Sequence, residues 1–207
     1  MIAVIDYGIG NLHSAHKALI AVGADACLTS DPAEIAAADA VVLPGVGAFG
    51  ACMSALRERG LEDAVRTAAT SGRPFLGICV GMQMLFDSSA EDSDVPGLGI
   101  IAGRVEWIPV GVKRPQMQWN ILRRAGDVTE PMFDGLGEEP WMYFVHSLHG
   151  VPEDSAAVVG TCEYGGTLNA AFRMGSVFAT QFHPEKSGPA GLAMLRNFLR
   201  WSQGEIV

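Results

Sequence analysis

The apolar positions of this chain follow two different rhythms, and the change between them comes just after Phe86. Before it, short continuous apolar runs alternate with stretches in which apolar residues recur every three or four positions. The runs at 2–6, 26–29, 40–43 and 75–78 predict strands covered on both faces, 26–29 being the least apolar. Between them Leu12, Ala15, Leu19 and Val22 share one helical face, with Gly23 as the C-terminal cap. Asp31-Pro32 is a helix start, a capping carboxylate followed by a proline whose fixed φ suits the first turn. A helical stretch over 51–71 breaks near Gly60. Good helix formers return at Met82, Gln83, Met84 and Leu85. This alternation predicts a parallel sheet with helices on both faces, and it puts a site at the carboxyl ends of the strands.

Beyond Phe86 the segment 87–96 is polar and acidic and reads as a loop. Strands are then expected over 103–110, 119–123, 141–148, 156–161, 168–173 and 177–182, with turn signals between them. Met174-Gly175 between two apolar runs predicts a tight hairpin. Antiparallel strands are therefore expected at one end of the parallel sheet. Leu192, Leu195 and Phe198-Leu199 form the apolar stripe of a final helix. No repeat or linker interrupts the chain, so residues 1–207 are expected to form a single α/β domain.

Composition narrows the function. Lys and Arg number 14 against 23 for Asp and Glu, a net charge of −9 that repels phosphate backbones and argues against nucleic acid. The first residues lack the basic start of a signal peptide, and no apolar run spans a bilayer, so no membrane role is expected. Cys27, Cys52, Cys79 and Cys162 are scattered without a Cys-x-x-Cys pair. That argues against a metal site or a disulfide framework and points to a cytoplasmic protein without a cofactor.

The candidate chemistry centres on Gly77-Ile78-Cys79-Val80-Gly81, where the strand 75–78 gives way to a helix. Glycines two residues either side of a nucleophile are the pattern of a strand-to-helix elbow, here with sulfur at the apex. A helix N-terminus there favours thiolate, the attacking form. A thiolate nucleophile needs a base, a group to orient that base, and donors for an oxyanion. His183, in Phe182-His183-Pro184-Glu185, is the candidate base. The proline biases it towards extended geometry, which turns Glu185 to the same side as the ring. His146, in Tyr143-Phe144-Val145-His146-Ser147, is the competing base, whereas His13 and His16 fall on the first helix and are expected to be solvated. Pro44-Gly45-Val46-Gly47 follows a strand directly and offers backbone N–H groups; the Val80 N–H is the expected second donor.

Pro44-Gly45-Val46-Gly47, the elbow continuing through Met82-Gln83, and Gln181-Phe182-His183-Pro184-Glu185 together resemble the class I (triad-type) glutamine amidotransferases across essentially the whole chain. Within that family the runs 5–12, 143–147 and 185–187 are similar to the glutaminase subunits of imidazole glycerol phosphate synthases. The resemblance implies that Cys79, His183 and Glu185 hydrolyse glutamine, and that Gly45, Val46, Gly47 and Val80 surround the oxyanion. Gln83, His146 and Ser147 would then line the substrate pocket. It also implies a heterodimer with a (β/α)₈-barrel cyclase that receives the ammonia, docked through Trp119, Tyr143, Lys186 and Asn11. The chain departs from the family's Pro-His-Met-Gly-Trp-Asn at Gln116 and Gln118, and from its usual aromatic residue at Leu148. The alternatives at this level are the glutaminase of pyridoxal phosphate or anthranilate synthase, or a non-catalytic cysteine sensor on the same scaffold.

Overall fold

The computed structural model describes residues 1–126 and 129–206; the expected unit of 1–207 extends over three positions outside them. Four apolar runs become β1 (Ile2–Ile5), β2 (Ala26–Thr29), β3 (Ala40–Gly45) and β4 (Phe75–Cys79). They alternate with α1 (Leu12–Ala21), α2 (Pro32–Ala37), α3 (Phe49–Glu58) and α4 (Glu62–Thr70). Asp31 caps α2 as its sequence suggests, accepting from the Ala33 N–H at 2.8 Å. The helical stretch 51–71 is two helices hinged at Gly60, whose φ of +68° only glycine adopts cheaply.

After the one-turn α5 (Val80–Gln83) come β5 (Phe86–Ser89), β6 (Ile101–Trp107), β7 (Gln116–Ile121) and β8 (Arg123–Arg124). Then follow β9 (Trp141–His146), β10 (Leu148–Pro152), β11 (Val158–Glu163), β12 (Thr167–Met174) and β13 (Val177–Thr180), and α6 (Gly188–Ser202) closes the order. The large sheet runs β2-β1-β3-β4-β13-β12-β11-β8. Its first five strands are parallel, and β12, β11 and β8 add antiparallel at one end, as expected. The chain steps one way from β1 to β2 and the other way from β2 to β3 and β4, so right-handed crossovers send α1 and α2–α4 to opposite faces. In keeping with this, α1 packs on α6 and α2 on α4.

From the elbow onward the structure departs from the expectation. The run 119–123 is divided between β7 and β8, which enter different sheets. The run 141–148 is two strands, β9 and β10, which part at Ser147 and enter different small sheets, β7-β9 and β10-β6-β5. The polar segment 87–96 begins inside a strand. β5 is anchored by buried Phe86 and Ser89, and the Asp87 carboxylate accepts from the Gly103 N–H at 2.8 Å across to β6. The helix expected to run on through Met84 and Leu85 stops at Gln83, because the Leu85 carbonyl accepts from Ile100 and Ile101 instead.

On the other side of the elbow, β3 carries on through Pro44 and Gly45 rather than stopping before them. Its pairing with β1 ends at Val42, so Pro44 lies past the strand that would miss its N–H, and only β4 flanks it. The Pro44–Gly47 backbone is therefore delivered beside Cys79, Gly45 standing opposite it in the register.

Candidate active site

The elbow is a close meeting of three backbones. At Gly81 a Cβ would sit 1.9 Å from the Leu43 carbonyl oxygen, and at Gly45 one would sit 2.5 Å from the Gly81 nitrogen. Only residues without side chains let β3 press against the first turn of α5 in this way. Between them Cys79 has φ +54° and ψ −113°, the one non-glycine residue with positive φ among those described. Such a conformation costs on the order of 1–3 kcal/mol and persists only because β3, β4 and α5 over-determine it. The strain turns the sulfur out of the sheet into a pocket of about 230 Å³, where the residue is 4% exposed.

His183 faces the same pocket from the segment that follows β13. That segment is tied to β9. The His183 N–H donates to the Tyr143 carbonyl at 3.0 Å, while the Ser187 hydroxyl donates to the His183 carbonyl at 2.6 Å and accepts from the Tyr143 N–H at 2.9 Å. The ring itself lies 2.8 Å, through Nδ1, from Glu185 Oε1, which also accepts from the Asn11 amide at 3.4 Å. Nε2 is buried without an acceptor in bonding geometry, on the side that the Cys79 sulfur occupies. Burial alone would push the imidazole towards neutral, but the sulfur and Glu185 outweigh it and raise its pKa to about 10. An imidazolium beside a sulfur is the arrangement that stabilises thiolate.

His146, the competing base, lines the pocket too and is held in the opposite state. Its Nδ1 lies 2.7 Å from the Leu148 carbonyl and its Nε2 3.0 Å from the Gln116 carboxamide. Burial dominates here and lowers the pKa to about 4. Both neighbours are oxygens, the Leu148 carbonyl at Nδ1 and Gln116 Oε1 at Nε2, whereas a neutral ring has one N–H to give; with that proton on Nδ1, the Gln116 carboxamide has to turn its N–H to Nε2 to complete the pair. With both nitrogens engaged, His146 is a wall and not a proton carrier.

The remaining predicted residues divide cleanly. Val46, Gly47, Val80, Gln83 and Ser147 line the pocket. Gly45 does not; it sits one step back, in β3, where it provides the close approach. Among the described residues the Gly47 N–H has no acceptor, and Val80, first residue of α5, has a free N–H by helix geometry. Trp119, Tyr143 and Lys186 form one exposed cluster outside the pocket. The Trp119 and Tyr143 rings meet edge to face at 6.0 Å, and the Lys186 ammonium stands 6.0 Å over Tyr143. Asn11, half-buried, donates to Glu185, the residue before Lys186.

The family of glutamine amidotransferase class-I proteins matches residues 3–201. The chain belongs to this family. This amidotransferase is 49% identical over 203 residues to the imidazole glycerol phosphate synthase subunit HisH of Synechococcus sp. (strain JA-3-3Ab), covering 97% of this chain and 93% of that one. It is 50% identical to the HisH subunit of Methylococcus capsulatus, with 97% and 96% covered, and 47% identical to that of Acinetobacter baylyi, with 97% and 98% covered. Among solved structures, one described as a glutamine amidotransferase superposes with a TM-score of 0.77 at 22% identity over 98% of this chain and all of that one. PurLQS from Thermotoga maritima gives 0.74 at 21% identity, with 97% of each chain covered, and shares the fold.

Two residues of this amidotransferase's pocket region were given no role from the sequence, Gln181 being read only as part of the motif around His183. Glu91 lines the pocket, and its Oε2 accepts from the Phe49 N–H at 2.7 Å, where α3 begins. Gln181 lies buried behind the sulfur. The two departures on the pocket side have a structural place as well. Gln116 is the partner of His146, and Leu148 supplies the carbonyl on the ring's other nitrogen. Gln118 is exposed on β7, one residue from Trp119.

Proposed function

We propose that this chain hydrolyses glutamine through Cys79, His183 and Glu185 and hands the ammonia to a cyclase subunit of an imidazole glycerol phosphate synthase. The observation that carries the hydrolysis is the strained Cys79 sulfur held in one pocket with an imidazole whose other nitrogen is 2.8 Å from a carboxylate. Membership of that synthase is supported by the identity of close to 50% with HisH proteins over nearly the full chain. Both the single catalytic unit and its cytoplasmic setting belong to the same reading; no helix among the described residues is long and apolar enough to cross a membrane.

The chemistry follows from the geometry. The Cys79 thiolate attacks the side-chain carboxamide carbon, and the negative charge that forms on oxygen is met by the Gly47 and Val80 N–H groups. His183 as imidazolium gives its proton to the nitrogen as the C–N bond breaks, releasing ammonia and leaving a thioester. Neutral His183 then takes a proton from water, whose oxygen attacks the thioester; glutamate leaves and the sulfur returns to thiolate. Glu185 holds the ring and stabilises its charged form. Glu91 gives the pocket a carboxylate suited to the substrate's ammonium group, and the Gln83 carboxamide supplies a neutral polar wall. Trp119, Tyr143 and Lys186 form the docking face for a (β/α)₈-barrel partner, in a heterodimer, where the ammonia converts a phosphoribulosyl-formimino intermediate to imidazole glycerol phosphate and an aminoimidazole carboxamide ribotide.

The test is Cys79→Ala assayed with the purified cyclase. Glutamine-dependent synthesis is expected to vanish while synthesis from added ammonium continues. Loss of both would place the cysteine in folding or docking, and retention of both would end the proposed nucleophile.

A further inference from the structure

Gln181 is wholly buried, outside the pocket lining, and belongs to none of the groups that the hydrolysis uses. Its backbone N–H donates to the Ala170 carbonyl at 2.9 Å, which extends the β13–β12 pairing by one residue and sets where its side chain points. The chain then bends at Gln181 and Phe182, and Gln181 and His183 both come to lie by Cys79. The Gln181 Nε2 lies 3.7 Å from the sulfur and donates to it. At the other end of this carboxamide the Gln83 Nε2–H donates to Gln181 Oε1 at 3.2 Å, an arrangement in which nitrogen and not oxygen faces the sulfur. Turned round, the same amide would set a lone pair against a thiolate.

We infer that Gln181 is a positioning residue for the nucleophile: paired with Gln83, its amide N–H holds the Cys79 sulfur in place as thiolate. A buried sulfur without such a donor pays for its charge in lost hydration, and only the imidazolium would offset it. The Gln181 amide is the donor that already holds the sulfur in bonding geometry. His183 has to move its proton to the departing nitrogen, and at that moment the Gln181 amide is the partner that stays. The same arrangement gives Gln83 two tasks, because it faces the substrate pocket while its N–H is engaged by Gln181.

This inference rests on Cys79 being the nucleophile, and its test separates the two ideas. The pH dependence of iodoacetamide labelling of Cys79, followed on its own peptide in the intact chain, reads the thiolate without glutamine or partner. Gln181→Leu keeps the bulk and removes the donor, and Gln181→Glu puts an acceptor at the same point. A hydrogen bond to a charged group is worth about a tenfold effect or more, so at pH 6 Gln181→Leu should label about tenfold more slowly, with Gln181→Glu slower still. In the complex with the cyclase, kcat for glutamine should fall about tenfold with KM within about twofold, since the residue does not touch the pocket. Labelling of folded Gln181→Leu at the wild-type rate, or a raised KM with kcat intact, overturns the inference. Should the Gln181 variants not fold, Gln83→Leu, which leaves Gln181 in place but unanchored, must slow labelling in the same sense, and an unchanged rate overturns it equally. A wild-type chain that labels fast but never hydrolyses glutamine would refute the proposed function while still reporting on Gln181.

Discussion

Two histidines line one pocket, both almost without exposure, and the protein holds them in opposite charge states. In the segment after β13, His183 is raised to about 10; at the β9–β10 corner, His146 is lowered to about 4. Burial acts on both in the same direction, towards the neutral ring, so burial does not decide the outcome. The partners do. His183 has a carboxylate at one nitrogen and a sulfur on the side of the other, whereas His146 has a carbonyl and a carboxamide, which carry dipoles but no charge. A pocket that must move a proton in one place and merely keep its shape in another obtains both from the same residue type by choosing what stands behind it.

The largest effect expected from breaking this contrast is at His183. His183→Ala should cut glutamine turnover by the complex about a thousandfold or more, because the proton carrier is lost, while His146→Gln should cost less than about tenfold. Steady-state glutamate release by the two variants checks this, and comparable losses would mean that the two rings do not differ in role. Next comes the group that makes the difference. Glu185→Gln keeps the hydrogen-bonding shape but removes the charge behind His183, and it should be milder than His183→Ala by about one to two powers of ten. An equal loss would show that the carboxylate does more than orient and charge the ring. The same variant should be less stable than the wild type near pH 6.5, where the raised imidazole pKa contributes in full, and the gap should close as pH rises through about 10 and the wild-type ring gives up its proton.

His183 was legible in the sequence because its signal is local. The proline after it and the carboxylate two residues on stand in the same short segment, though the route differs from the extended run expected: only His183 is extended, and Glu185 is brought to the ring by the 3₁₀ turn Pro184–Lys186 that follows it. The elbow was legible for the same reason, its glycines standing at fixed offsets from Cys79. The parallel half of the sheet was readable from its buried runs, which have only one way to be covered. His146 was readable as a candidate but not in its role, since the burial that neutralises it is made where β7 and the β9–β10 corner meet, and the sequence joins β9 and β10 in one apolar run. Strand pairing across distant segments has no local mark: Phe86-Asp87-Ser88-Ser89 looks like the start of a polar loop until Ile101–Trp107 lies beside it. Glu91 is one acid among several in that loop, and nothing but its contact with the Phe49 N–H sets it apart. Gln181 stands two residues before His183 in the same motif, yet only the tertiary approach of Gln83 reveals what its amide faces.

The smallest of these effects gives the comparison its sharpest thermodynamic form. In the unfolded chain His146 titrates near 6.5, whereas in the fold its pKa is about 4. As pH falls below 6.5 the unfolded state takes up a proton that the folded state refuses, so stability declines by about 1.4 kcal/mol per pH unit until the folded ring itself titrates, about 3 kcal/mol in all. His183 contributes nothing to this decline, because with a raised pKa it is protonated in both states throughout that range. The two histidines therefore load opposite limbs of the stability profile. His146→Gln retains an amide able to hydrogen-bond and removes the titration, so the gap in unfolding free energy between wild type and variant should shrink by about 3 kcal/mol between pH 6.5 and pH 4. Denaturant unfolding at a series of pH values measures that gap directly, since titrations elsewhere in the chain cancel in the difference. A gap that stays constant would mean that the fold does not lower the His146 pKa; below about pH 6 the pocket would then hold two imidazolium rings, and charge could no longer be what assigns them different work.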